Sequence, residues 1–228
     1  MSAVPQPKPN LTQLAYERLR ADLLACKFEP DERLNISELC DQIGVSLGAV
    51  REALSRLTSE GLVIAEPQRG FRVASVSAAE LRDLYVARIE LEGLCLKRSI
   101  QAGGVEWEAG LVGAYHTLSR TPDIISDDGA RVGEEWYRRH SEFHSALVAG
   151  CDSPWLLRLR AQLFDQAQRF RRLSVSLTRT KRNVDKEHRE LMEAALAKDA
   201  DRAVALMRDH LQITTKTLLR SLSNQQSR

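Results

Sequence analysis

A chain of 228 residues is long enough for one large domain or two small ones, and 43% hydrophobic with 28% charged residues is the composition of an ordinary soluble globular protein. The net charge of +2 excludes bulk electrostatic attraction as a basis for nucleic-acid binding; the first 73 residues carry nine Lys and Arg against ten Asp and Glu, so any DNA contact has to rest on placed residues. Four scattered cysteines without a CxxC pair, no signal-peptide pattern and no apolar run of transmembrane length predict a cytoplasmic protein with reduced thiols and no membrane partner.

The opening "MSAVPQPKPN" has three prolines and nothing to bury, and reads as a mobile arm over 1–10. Leu11, Leu14, Ala15, Leu19, Leu23 and Leu24 then fall at helical spacing up to Cys26, where "FEPDERL" breaks the helix with Pro30. Asn35, with Glu38 three residues on, predicts an N-cap and a short helix to Ile43. Ser46 caps a third helix to Glu60, closed by Gly61. "LVIAE" and "GFRVASV", separated by "PQRG", read as a hairpin, so three helices and a hairpin make a winged helix-turn-helix over 11–75. From Ser77, capped against Glu80, every pattern is helical: 78–102, 105–119, 131–149, 153–177, 180–198 and 200–222. Ser153-Pro154 is an N-cap followed by proline at the first helical position. The predicted fold class is mainly α: a winged helix-turn-helix, then an all-α bundle of six to seven helices over 76–222, with a short tail over 223–228.

The stretch "DQIGVSLGAVREALSRLTSEGLV" resembles the GntR family of bacterial transcription regulators, through Gly44, Val45, Ser46, Val50, Arg51, Glu52, Ala53, Leu54, Leu57, Glu60, Gly61, Leu62 and Val63. The resemblance implies a recognition helix entering the major groove with its N-terminal end toward the bases. Ser46 then suits a phosphate, Arg51 a guanine edge or a phosphate, and Arg56 a phosphate. Gln68, Arg69 and Gly70 at the wing tip suit the minor groove. Many relatives carry an arginine and then a proline just after the turn; Leu47, Gly48 and Ala49 stand here instead, so Leu47 and Gly48 imply an altered operator sequence. On composition alone Arg51 and Arg56 would read as a solvated face paired with Glu52 and Glu60.

Within the helical part, "HSEFH" places His140 and His144 four apart on one helical face. It is not the zinc-protease HExxH motif, because Glu142 comes two residues after His140 and projects away from the histidines. No other nucleophile–base constellation appears, which predicts that the chain is not an enzyme. The bundle resembles the FadR subgroup of the family, with an FCD-type ligand domain in which an acidic residue and histidines hold a metal. His144, His188 and His210 match the three histidines of that set, and His140 stands at the acidic position. Four imidazoles favour zinc, nickel or copper over manganese or magnesium, so the implied cofactor is a divalent transition metal, zinc or nickel first. Two other readings remain open: the imidazoles could bind an anion without any metal, or the ion itself could be the signal. His116 matches nothing and reads as surface.

Arg88 matches an arginine that faces the ligand cavity in that subgroup, and its alternative is a salt bridge to Glu92. Arg169 and Arg171 are weaker candidates for a second anion clamp. The stretch from Glu134 to Arg171, with "FEPDERL" and "RGFRVASVS", is similar to glutarate-responsive repressors of the subgroup. This implies a homodimeric repressor on an inverted-repeat operator, released by a glutarate-like dicarboxylate effector; the alternative is a metal-sensing regulator.

Overall fold

Side-chain caps open the helices of the N-terminal unit. Asn10 Oδ1 accepts from the Gln13 N–H at 3.1 Å and starts α1 (Leu11–Leu24). Asn35 accepts from Ser37 and Glu38 N–H, while its amide donates to the Glu38 carboxylate at 2.7 Å, opening α2 (Ile36–Ile43). Ser46 Oγ accepts from the Ala49 N–H and opens α3 (Leu47–Ser59). Gly61 follows at φ 72, a left-handed turn that costs a side-chain-bearing residue strain.

The computed structural model describes residues 10–122, 133–175 and 183–226. Nine residues of the proline-rich arm, most of the "SRTPDIISDDGA" loop and the expected first turns at 131 and 180 lie outside them. Contacts divide the chain into two units, Met1–Val76 and Ser77–Arg228.

In the first unit Leu19, Val50, Ala53, Leu54, Leu57 and Leu62 form a buried core where α1 packs on α3. Burying each leucine contributes about 1.5–3 kcal/mol. Two expectations need correcting here. The first helix ends at Leu24, two residues short of the expected Cys26, because Cys26 itself turns left-handed at φ 54 and ends the helix ahead of Pro30. The hairpin strands β2 (Val63–Glu66) and β3 (Gly70–Val73) gain a third, β1 (Arg33–Leu34), in the sheet order β1-β3-β2. Two residues are too few to show an alternating pattern, so β1 reads from sequence as loop.

The second unit has six helices among the described residues: α4 (Ala78–Ala102), α5 (Val105–Ser119), α6 (Glu134–Val148), α7 (Pro154–Val175), α8 (Val184–Leu196) and α9 (Ala200–Gln226). Ser77 Oγ accepts from the Glu80 N–H at 3.0 Å and fixes the start of α4. This long helix packs on α9, α7 and α6 and forms the spine of the bundle. Gly150 lets the end of α6 press against α4: its N–H donates to Ser99 Oγ at 2.8 Å, and a Cβ there would lie 2.8 Å from the Ser99 carbonyl oxygen. The tail expected from 223 is helical through Gln226, because Leu218 and Leu222 continue the buried stripe of Leu211. No helix among the described residues is long and apolar enough to cross a membrane.

Candidate DNA-reading face and metal centre

The N-terminal unit parts its two recognition-helix arginines. Leu47, Arg51 and Ser55, four residues apart, share one exposed face of α3, and Gly48 borders it. Arg51 has no ion-pair or hydrogen-bond partner among the described residues. The neighbouring carboxylates turn toward α1 instead: Glu52 accepts from Thr12, and Glu60 accepts from Tyr16 and Arg20. Arg56 follows them, lying 3.9 Å over the Tyr16 ring and donating to Gln13 Oε1 at 3.0 Å. Ser46 Oγ accepts the Ala49 N–H as the helix cap, a bond that uses an oxygen lone pair and not the hydroxyl proton. Gln68, Arg69 and Gly70 are exposed at the wing tip, with positive φ at Gln68 and Gly70. Arg33, which sequence reading passed over, pins that turn by donating to the Arg69 carbonyl at 2.7 and 3.2 Å. Ser55 was also passed over, although its spacing from Arg51 was the available signal.

In the helical unit α6 supplies His140 and His144, α8 His188 and α9 His210. The four rings converge, none is more than 3% exposed, and their candidate ligand atoms lie within 4.8 Å of one another. His144 and His188 each pack against both His140 and His210. Burial, and after it the adjacent Arg171 and the other imidazoles, holds His140 well below the usual histidine range. Burial, followed by His210 and His188 and then Arg88 and Arg160, does the same to His144. Both rings are therefore neutral at pH 7, the form that donates a lone pair to an ion. Neither ring nitrogen of His144 has a hydrogen-bond partner, a costly state for a buried imidazole. His210 Nδ1 meets Glu187 Oε2 at 2.9 Å. His116 is exposed on α5 and belongs to no such cluster. Glu142 is occupied by Arg138 and Arg139.

Arg88 is buried beside this cluster and held loosely, 3.3–3.4 Å from Glu92 Oε1 and 3.5 Å from the Tyr85 hydroxyl. The other Glu92 oxygen belongs to Arg160, absent from the sequence-derived candidates, whose Nε lies 3.0 Å away and whose second arm donates to the His144 carbonyl at 3.0 Å. Both guanidiniums lie against the Phe164 ring, at 4.8 and 4.4 Å. Two buried cations thus share one carboxylate. Arg169 is buried; Arg171, about 200° further round α7, reaches His140.

Two family profiles match the chain: bacterial regulatory proteins, gntR family, over residues 11–73, and the FCD domain over 83–213. The chain belongs to the gntR family. It is 40% identical over 203 residues to the HTH-type transcriptional repressor GlaR of Escherichia coli (strain K12), covering 86% of this chain and 90% of that protein. It is 39% identical over 213 residues to the uncharacterized HTH-type transcriptional regulator BphR of Paraburkholderia xenovorans (strain LB400), covering 92% and 87%. Among solved structures, E. coli McbR/YncC aligns with a TM-score of 0.78 at 22% identity over 92% of this chain and 97% of that one, a likeness of fold. The gntR-family chain is a DNA-binding transcriptional regulator with an FCD domain, and not an enzyme.

Proposed function

We propose that this regulator is a cytoplasmic homodimeric repressor, released from an inverted-repeat operator by a small carboxylate of the glutarate-like dicarboxylate class. The effector would bind a histidine-lined pocket that holds a divalent transition metal, zinc or nickel. The observation that carries this reading is the convergence of four buried histidines, with both nitrogens of His144 unsatisfied. A buried cluster in which burial holds His140 and His144 neutral suits a borderline-soft cation. When bound, the ion supplies a Lewis-acid anchor for a carboxylate oxygen. The loosely held Arg88 supplies a cation for the anion, since Arg160 already satisfies the far side of Glu92.

On the DNA side, Arg51 is a cation without a partner among the described residues on the exposed face of α3, suited to a base edge, with Ser46, Leu47 and Gly48 at the leading end and Gln68, Arg69 and Gly70 for the adjacent groove. Arg56 would contact a phosphate while resting on Tyr16. A two-fold dimer matches two inverted half-sites. Repression follows the relative GlaR, itself a repressor. Release requires the carboxylate to bind the non-operator state more tightly, with a coupling of about 1–3 kcal/mol.

Thermal unfolding with a panel of mono- and dicarboxylic acids, before and after chelation, tests the reading. An effector at 100 times its Kd adds about 2.7 kcal/mol, at roughly 2–4 °C per kcal/mol. A shift with one dicarboxylate that vanishes on chelation is the expected result; no shift with any acid contradicts it. The burial of all four histidines favours one alternative, a regulator in which the ion is the signal and its occupancy sets the packing of α6, α8 and α9.

A further inference from the structure

Four histidines in one cluster invite the assumption that all four ligate. The geometry around His140 argues otherwise. Arg171 NH1 lies 2.7 Å from His140 Nε2 and 3.4 Å from Nδ1, and its guanidinium rests 4.8 Å over the Trp136 ring. Trp136 in turn stacks on His140, with ring centroids 4.8 Å apart and planes 22° from parallel. A guanidinium stays charged and has donors only, so the nitrogen it approaches must offer a lone pair. A neutral imidazole has one such lone pair. With Nε2 accepting from Arg171, Nδ1 carries the proton, and His140 has nothing left to give an ion.

The other rings differ. His144 has neither nitrogen committed, and the Glu187 carboxylate at His210 Nδ1 leaves Nε2 of that ring as the basic nitrogen.

We propose that His140 is the anchor of Arg171 and not a metal ligand, so that His144, His188 and His210 hold the ion and Arg171 faces the carboxylate that completes the site. The proposal rests on the metal-containing pocket proposed above and assigns its parts. In this arrangement the replacement of the acidic residue by His140 exchanges one anionic ligand for a second cationic grip on the anion. The site becomes more positive by the lost carboxylate, and Trp136 and His140 together hold the guanidinium in place.

The test compares full-length wild type with His140→Gln, His140→Ala, Arg171→Ala and His144→Ala. Zinc affinity is measured by chelator competition, imidazole count by zinc X-ray absorption, and glutarate affinity by calorimetry on the zinc-loaded protein. The expected wild-type spectrum has three imidazoles, unchanged in His140→Gln, whose amide oxygen can still accept from Arg171. His140→Ala and Arg171→Ala should keep zinc within the about 10–100-fold that an outer-shell change costs, and both should lose glutarate affinity, with His140→Gln partly restored. His144→Ala should lose zinc well beyond that range. Four imidazoles in the wild type, or a loss of zinc in His140→Gln as deep as in His144→Ala, overturns the assignment while leaving the metal pocket standing. Zinc binding equal in His144→Ala and wild type overturns the metal pocket and the assignment with it.

Discussion

Glu187 Oε2 lies 2.9 Å from Nδ1 of His210, joining the first turn of α8 to the middle of α9 inside the histidine cluster. A carboxylate in that position fixes the ring's tautomer and orientation and raises the basicity of its other nitrogen. Glu187→Gln keeps the size and loses the charge, so it is expected to weaken zinc binding about 10–100-fold, measured by chelator competition, with the helical content unchanged. An unchanged affinity would remove Glu187 from the site.

Arg51 and Arg56 should separate into different phenotypes. Arg51→Ala removes an exposed cation that contributes nothing to the fold, and is expected to cost about 1–3 kcal/mol of operator binding at an unchanged Tm. Arg56→Ala strips the cation from the Tyr16 ring and the bond to Gln13, so it should lower the stability of the N-terminal unit by about 0.5–1 kcal/mol. A fluorescence titration on operator DNA and a urea melt of each variant read the two effects. Equal loss of DNA affinity with no stability difference would contradict the division.

Glu92 is fully buried between Arg88 and Arg160. Glu92→Gln leaves two guanidiniums facing each other without their shared anion, and should destabilise the helical unit by about 3–5 kcal/mol. Urea unfolding followed by tryptophan fluorescence reports on that unit alone, since Trp107, Trp136 and Trp155 all belong to it. A midpoint near wild type would mean that the triad carries little energy.

Acid should destabilise the chelated protein. His140 and His144 stay neutral when folded, because burial first and neighbouring charges second depress their affinity for protons, while in the unfolded chain they titrate at the ordinary value of 6.5. As pH falls through 6.5 the unfolded state takes up protons that the folded state does not, so stability drops by up to about 1.4 kcal/mol per pH unit per histidine; above that window it levels off. Urea midpoints at pH 7.5, 6.5 and 5.5 measure the slope. A flat profile between 6.5 and 5.5 would show that these rings accept protons in place.

Much of this architecture is readable in the sequence wherever a local signal has a local cause. The limits of α4 and α5 follow from the Ser77 cap and the paired Gly103 and Gly104, and the starts of α2, α3 and α7 from Asn35, Ser46 and Ser153-Pro154. The four-histidine cluster is legible only through resemblance, since nothing in the spacing of His188 and His210 tells that α8 and α9 deliver them to α6. Contacts made across the fold were not legible. The strand β1 exists only because β3 pairs with Arg33 and Leu34. Arg56 looks like any helix arginine until α1 places Tyr16 beneath it. Arg160 hides in a helix rich in arginine, yet it occupies a buried stripe with Phe164 and Ala167, at spacings of four and three, and that periodicity could have exposed it.

The most direct test is operator affinity of the full-length protein, on a duplex enriched from a random pool, with and without saturating glutarate, in zinc-replete and chelated samples. The expected result is a loss of affinity of about 5–150-fold on adding glutarate to the zinc-replete protein, and no change after chelation. Glutarate that binds the zinc-replete protein yet leaves operator affinity untouched would contradict an effector-released repressor.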